Sequence, residues 1–475
     1  MAFTRPTTDR GPARAPVTLD LPEPASLGRM LGPGIIAVGI GMAAGELILW
    51  PYITALAGFG LLWLALATLA VQFVINMEIE RYTLATGQTV VAGLARWWKG
   101  WGIFICLAGA FQYVWPGWAT SASTVLTYAL GGGSVTWITI AALVLIGIVL
   151  TTSPVIYGTV EKIEWVKVGL TLVFLMVVLV AVLAWRTWTE GAAAIVTDFG
   201  RLPGEVSFTL MLSAIGAAGA GGVHNLILSN WIRDKRYGMG AHVPRLVSPI
   251  TGTEEAGGAG GGDYFDFPQD EANLSRWKVW WKRANVEHFV TFFLVCLVTI
   301  TVMSMLAFQT LFGREGIENS PAFLQLQAEL LGNQVGTWVQ ILFYALATVS
   351  LYATALGLLD VIGRLGSDFI RRNYTADSTR WTESRLYVLI VWSEIVLGSI
   401  ILLSGVTQPL VLLIISTCAA SIVTLFYSIL IVRLNIRDLP EAIRLRGVRL
   451  VGMIVAICFY GFFAVGLLVT QLQKL

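Results

Sequence analysis

Gly39-Ile40-Gly41-Met42-Ala43-Ala44-Gly45-Glu46-Leu47-Ile48-Leu49-Trp50 is the stretch on which the reading of this chain turns. It lies inside the first long apolar segment, roughly residues 32–57. A helix of ~20 apolar residues spans a bilayer, so three glycines and a carboxylate stand at bilayer depth. Glycine weakens a helix. A lone acid in hydrocarbon costs on the order of 3 kcal/mol on insertion scales. Two readings follow. The helix is softened by glycine around a neutral, packed Glu46, or it is broken, with freed backbone groups and Glu46 facing a substrate or ion.

The rest of the chain supports a membrane setting. Of its 475 residues, 56% are hydrophobic and 13% charged, and the mean hydropathy is +0.74. Apolar runs at roughly 32–57, 59–78, 101–129, 135–157, 163–185, 206–231, 286–312, 336–362, 385–404, 409–432 and 448–470 predict about eleven spans. If the N-terminus is cytoplasmic, 27 of the 31 Lys and Arg fall on the inner side. Only Arg186, Arg201, Arg314 and Lys474 fall outside. That asymmetry obeys the positive-inside rule and places the C-terminus outside the cell membrane. The fold class is an all-α polytopic membrane protein. Basic residues form no single patch, so nucleic acid is not an expected partner. Cys106, Cys296, Cys418 and Cys458 each lie in an apolar run without ligand spacing, and read as small buried hydrophobes. No nucleophile–base pair, phosphate loop or His/Cys cluster marks an enzyme, and no cofactor is implied.

Residues 1–30, with several prolines and arginines, read as a disordered cytoplasmic tail without a signal peptide. Residues 233–285 form an insertion between spans six and seven. Its glycine-rich piece, Gly257 to Gly262, reads as a linker. Arg276-Trp277-Lys278-Val279-Trp280-Trp281-Lys282-Arg283 reads as an interfacial helix.

Span six repeats the oddity of span one. Gly216-Ala217-Ala218-Gly219-Ala220-Gly221-Gly222-Val223-His224-Asn225-Leu226-Ile227-Leu228 matches Ala43-Ala44-Gly45-Glu46-Leu47-Ile48-Leu49 in plan. Each has a Gly/Ala break, a polar residue, then Leu-Ile-Leu. Five spans separate them, so they run in opposite directions. Paired breaks in inverted repeats point to the midplane site of a secondary transporter. The repeats are residues 31–190 and 204–432, with 448–470 an added span.

Leu31-Gly32-Pro33-Gly34, Gly58-Phe59-Gly60-Leu61-Leu62-Trp63, Arg81-Tyr82-Thr83-Leu84-Ala85-Thr86-Gly87, Val160-Glu161-Lys162 and Gln408-Pro409-Leu410 together resemble the Nramp divalent-metal transporters. The resemblance covers most of the chain at low identity and implies a LeuT-like fold of five plus five inverted spans. It departs at the metal site. Where the family has Asp-Pro-Gly-Asn, this chain has Ala43-Ala44-Gly45-Glu46; where it has Met-Pro-His-Asn, this chain has Gly222-Val223-His224-Asn225.

The candidate substrate or ion site is therefore Glu46, Gly45, Ala43, Gly222, Gly219, His224 and Asn225, with Glu46 and Asn225 as metal ligands. Losing the thioether weakens preference for manganese or iron, and oxygen ligands suit a hard cation resembling Mg²⁺. Burial disfavours a charged carboxyl, so Glu46 is also a candidate proton carrier. His224 is either functional or a satisfied structural group, and Asn225 either a ligand or a half-helix cap. Gln112 and Glu394 are candidates for the pathway or coupling. The resemblance adds Ser350 and Thr354, one turn apart on span eight, as hydroxyls of a sodium site. Hydroxyls on membrane helices also bond back to their own backbone. The expected function is a secondary transporter of a hard divalent cation, linked to protons. The alternatives are a Na⁺- or H⁺-coupled carrier of a small organic solute, and a transport-inactive sensor.

Overall fold

The computed structural model describes residues 16–153, 156–243, 264–314, 317, 322–375, 378–406 and 408–473. Among them nine helices are long and apolar enough to cross a membrane. Two further spans are interrupted helices, which completes the expected set. Span three runs Lys99–Tyr113, bends at Pro116, and resumes as Gly117–Leu130. Proline has no amide hydrogen to continue the ladder, which explains the bend. Span six is Phe208–Ala217 followed by Val223–Asp234.

Span one begins at Pro33, where the missing amide of proline costs nothing. The orphan N–H groups at that end find Glu287 of span seven, whose Oε1 accepts from the amides of Gly34 (3.1 Å) and Gly32 (3.4 Å). The first half ends at Gly41; Met42 and Ala43 leave helical geometry. A wide π-type turn follows over Ala44–Leu49, then ordinary helix over Trp50–Ala57. Span eight, Thr337–Asn373, has 37 residues. At 1.5 Å per residue it is roughly 55 Å long, well beyond a ~30 Å hydrocarbon core. Its last turns therefore extend past a hydrocarbon core of that thickness, and they carry Arg364, Asp368, Arg371 and Arg372, the first two buried against neighbouring elements.

The distribution of side chains is that of a lipid-embedded bundle. Leu107, Phe111, Leu145, Val166, Val180 and Val465 are exposed, while Glu46, Gln72, Glu164, Lys167 and Arg364 are buried. Lipid accepts the apolar faces; buried polar groups need partners within the protein.

Two segments differ from their sequence reading. From Val17 onward the N-terminal segment is part of the fold. Val17–Thr18 pairs in parallel with Phe265–Asp266. The chain then runs along the helix Glu271–His288. The Leu21 amide donates to Asn273 Oδ1 (2.8 Å), Trp280 Nε1 donates to the Pro22 carbonyl (2.8 Å), and Arg283 donates to the Pro24 carbonyl (2.9 Å). Polar side chains on one helix face thus satisfy an extended backbone. Residues 1–15 and the glycine-rich piece lie outside the described residues. The Trp/Lys/Arg segment is not a separate interfacial helix: Glu271–Leu311 is one continuous helix of 41 residues.

Candidate functional site

The two breaks meet backbone to backbone. A Cβ on Gly41 would strike the Gly219 carbonyl, and one on Gly45 would strike the Ala217 carbonyl. Gly219 and Gly222 have φ of +63° and +71°, a region other residues rarely adopt. The glycine clustering therefore serves close approach and left-handed turns. The amides exposed by the span-six break are then claimed one by one. Glu46 Oε1 accepts from Gly219 N (2.9 Å), Gln72 Oε1 from Ala220 N (3.1 Å), Thr424 Oγ1 from Gly222 N (2.9 Å), and Gln112 Oε1 from Val223 N (3.3 Å).

Glu46 is fully buried, and its second oxygen, Oε2, has no hydrogen-bond partner. The Cys296 thiol of span seven lies against the carboxyl. One turn further along, Thr299 donates to Met42 Sδ at 3.8 Å. A carboxylate with one oxygen pinned and one free, set between two broken helices, can take a cation or a proton. Ala43 and Gly45 contribute backbone here; Ala43 has φ −147° and lies at the break itself.

The other expected residues are spread around this centre. Gln112 bridges span three to the start of the second half-helix and donates through Nε2 to the Tyr113 hydroxyl (2.8 Å). Asn225 is turned to span ten, donating to the Tyr427 hydroxyl (2.9 Å) and leaving Oδ1 without a partner. Its side chain does not cap the half-helix. His224 is buried with Nε2 unpartnered, its ring edge-on to Trp231 at 5.5 Å. Glu394 stands apart, lining a cavity with Tyr113, Trp115, Trp118, Leu358 and Gly398. Ser350 is buried with a free hydroxyl. Thr354 donates to the Ile40 carbonyl of span one at 3.0 Å.

Sequence reasoning missed Gln72, Thr424, Tyr427, Cys296, Met42 and Lys167. Gln72 gave a signal, being an amide in the apolar run of span two. From the sequence, Lys167 reads only as one of the inner-side charges at the head of span five. It is fully buried and donates to the Gly39 carbonyl.

The sequence model described as "Natural resistance-associated macrophage protein-like" matches residues 52–470. No curated protein matches. Among solved structures, a mutant of the manganese transporter of Eremococcus coleocola is similar, with 12% identity and a TM-score of 0.67. The alignment covers 94% of this chain and 88% of that one. The same transporter in complex with an aromatic bis-isothiourea substituted compound is similar at 13% identity and TM-score 0.66, over 94% and 88% of the two chains. MhsT in complex with L-phenylalanine has 13% identity and a TM-score of 0.52, over 93% and 98%. At these identities the likeness lies in the fold, that of broken-helix carriers with five plus five inverted spans.

Proposed function

The chain belongs to the natural resistance-associated macrophage protein-like family of membrane transporters, and on that premise we propose that its cargo is a divalent cation held at Glu46. The observation that carries the reading is the free Oε2 of Glu46 between the two breaks. The carboxylate and backbone carbonyls of the break are oxygen ligands suited to a hard, partly hydrated ion such as Mg²⁺, and Asn225, whose Oδ1 is unpartnered, would join them by turning from Tyr427. Glycine at position 222 supplies no thioether, and the Gln112 carboxamide packs against it in place of a side chain. Alternating access moves the ion as spans one and six rock against the surrounding helices. Glu46 carries either the cation or a proton, so proton-linked transport follows from one group serving both.

One observation favours a second reading. The Cys296 thiol beside Glu46, with Met42 close by on the same side of span seven, offers sulfur to a softer ion such as Mn²⁺. Proteoliposome uptake separates the two. The expected outcome is Mg²⁺ uptake faster than Mn²⁺, stimulated by a proton gradient. In Glu46→Gln it falls at least about tenfold, the loss of one charged ligand. Faster Mn²⁺ uptake that drops in Cys296→Ala supports the softer ion. No uptake of any divalent cation at any pH gradient rejects both, and uptake of an amino acid in its place supports the organic-solute carrier. We propose a cell-membrane location with the N-terminus inside and the C-terminus outside, from the Lys/Arg asymmetry. A C-terminal tag labelled only from outside intact cells is the matching result.

A further inference from the structure

Lys167 has no place in the site just described, yet it is a buried cation that reaches the first half of span one. Its side chain is fully buried. Nζ donates to the carbonyl of Gly39, at the end of the first half of span one, and to Thr354 Oγ1 of span eight at 2.7 Å. The Thr354 hydroxyl in turn donates a hydrogen bond to the carbonyl of Ile40 (3.0 Å). Glu164, one turn before Lys167 on span five, lies 3.8 Å from Nζ. Both its oxygens are buried without a hydrogen-bond partner. Gly39 has no Cβ because the Glu164 carboxyl occupies that space. One turn before Thr354, the Ser350 hydroxyl is also unpartnered.

This is an oxygen cage. The last carbonyls of a half-helix lack intrahelical donors and form the negative end of its dipole. Such ends, together with neighbouring oxygens, are where broken-helix carriers coordinate a small monovalent cation. Here the charge arrives on a side chain. The other charged or titratable groups facing Lys167 are Glu164 on its own helix, Glu46 in the span-one break and His224 on span six.

We propose that the Lys167 ammonium is a tethered cation filling a monovalent-ion site between spans one, five and eight. The chain therefore works without binding Na⁺ there, and trimming Lys167 uncovers a Na⁺ site made of the Gly39 and Ile40 carbonyls, Thr354, Ser350 and Glu164.

The test uses the purified full chain in detergent and does not depend on the cargo, so loss of divalent uptake and failure of this proposal are separate results. Wild-type protein is expected to show no saturable ²²Na⁺ binding and the same Tm in NaCl and choline chloride. Lys167→Ala is expected to gain saturable ²²Na⁺ binding and a rise in Tm of about 2–4 °C in NaCl over choline chloride. Lys167→Ala combined with Thr354→Val should lose both gains. Lys167→Met, which refills the space with an apolar chain, should bind no Na⁺. Should the alanine variant not fold, Lys167→Ser carries the same arm with an added hydroxyl. Saturable Na⁺ binding to wild type that Thr354→Val removes overturns the proposal. So does a folded Lys167→Ala or Lys167→Ser that ignores Na⁺.

Discussion

Gly219 illustrates how much a single residue carries in this molecule. Its φ is left-handed, its amide pins Glu46, and its carbonyl sits where a Cβ on Gly41 would lie. Gly41→Ala is therefore expected to destabilise the fold by about 1–3 kcal/mol, because the opposing atom is backbone and cannot swing away. A Tm drop in detergent checks this, and an unchanged Tm contradicts the close approach of the two breaks. Glu46→Gln should leave Tm nearly unchanged, since the amide oxygen still accepts from Gly219. Gln72→Ala removes the acceptor for the Ala220 amide and the donor to the Ile215 carbonyl (3.3 Å). Leaving buried backbone groups unpaired costs on the order of 1–3 kcal/mol. Its uptake should fall with its stability, unlike that of Glu46→Gln, where uptake falls alone.

The long helix Glu271–Leu311 is organised by its first turn. Asp270 caps it, accepting from the Asn273 amide at 2.8 Å. Asn273 in turn receives the Leu21 amide, so the cap and the N-terminal strap share one residue. The Asn273 amide holds the Asp270 carboxyl below the usual aspartate range. A depressed folded-state value means the contribution is complete above the ordinary aspartate range and is lost as pH falls through the lower, folded value. Asp270→Ala is thus expected to lower Tm at neutral pH, with the gap to wild type closing in acid. A Tm-versus-pH series on both proteins decides it, and a gap that persists in acid excludes the charged cap. Trp280, whose indole holds the Pro22 carbonyl, is the second clamp of the strap.

Across the whole molecule, the lysine- and arginine-rich end of the bundle is laced by buried ion pairs. Arg364 binds Asp360 at 2.7 Å and also Asp234 of span six. Arg233 binds Asp368 at 2.9 Å and Glu383, at the start of span nine, at 3.3 Å. The Tyr387 hydroxyl donates to Asp360 at 2.8 Å, and Thr89 to Asp368 at 2.8 Å. Removing one partner of a buried pair strands the other, so Arg364→Met should cost about 3–5 kcal/mol. The drop should be largely restored when Asp360 and Asp234 are changed to Asn in the same protein, as measured by Tm. Asp360, Arg364 and Asp368 were readable from sequence as a charged set at the end of span eight, because they recur at helical spacing. Their partners on span six were not, since nothing local ties Arg233 to a residue 135 positions away. The same division holds at the site. Apolar run lengths, loop charges and the doubled Gly/Ala breaks by themselves determined a broken-helix bundle centred on spans one and six, because bilayer thickness and glycine's backbone freedom act locally. Only the tertiary structure decided that Glu46 lies against the Gly219 amide and the Cys296 thiol, that Asn225 turns to Tyr427, and that Lys167 reaches the Gly39 carbonyl and Thr354. Those are distances between helices far apart in the chain, and packing sets them, not periodicity.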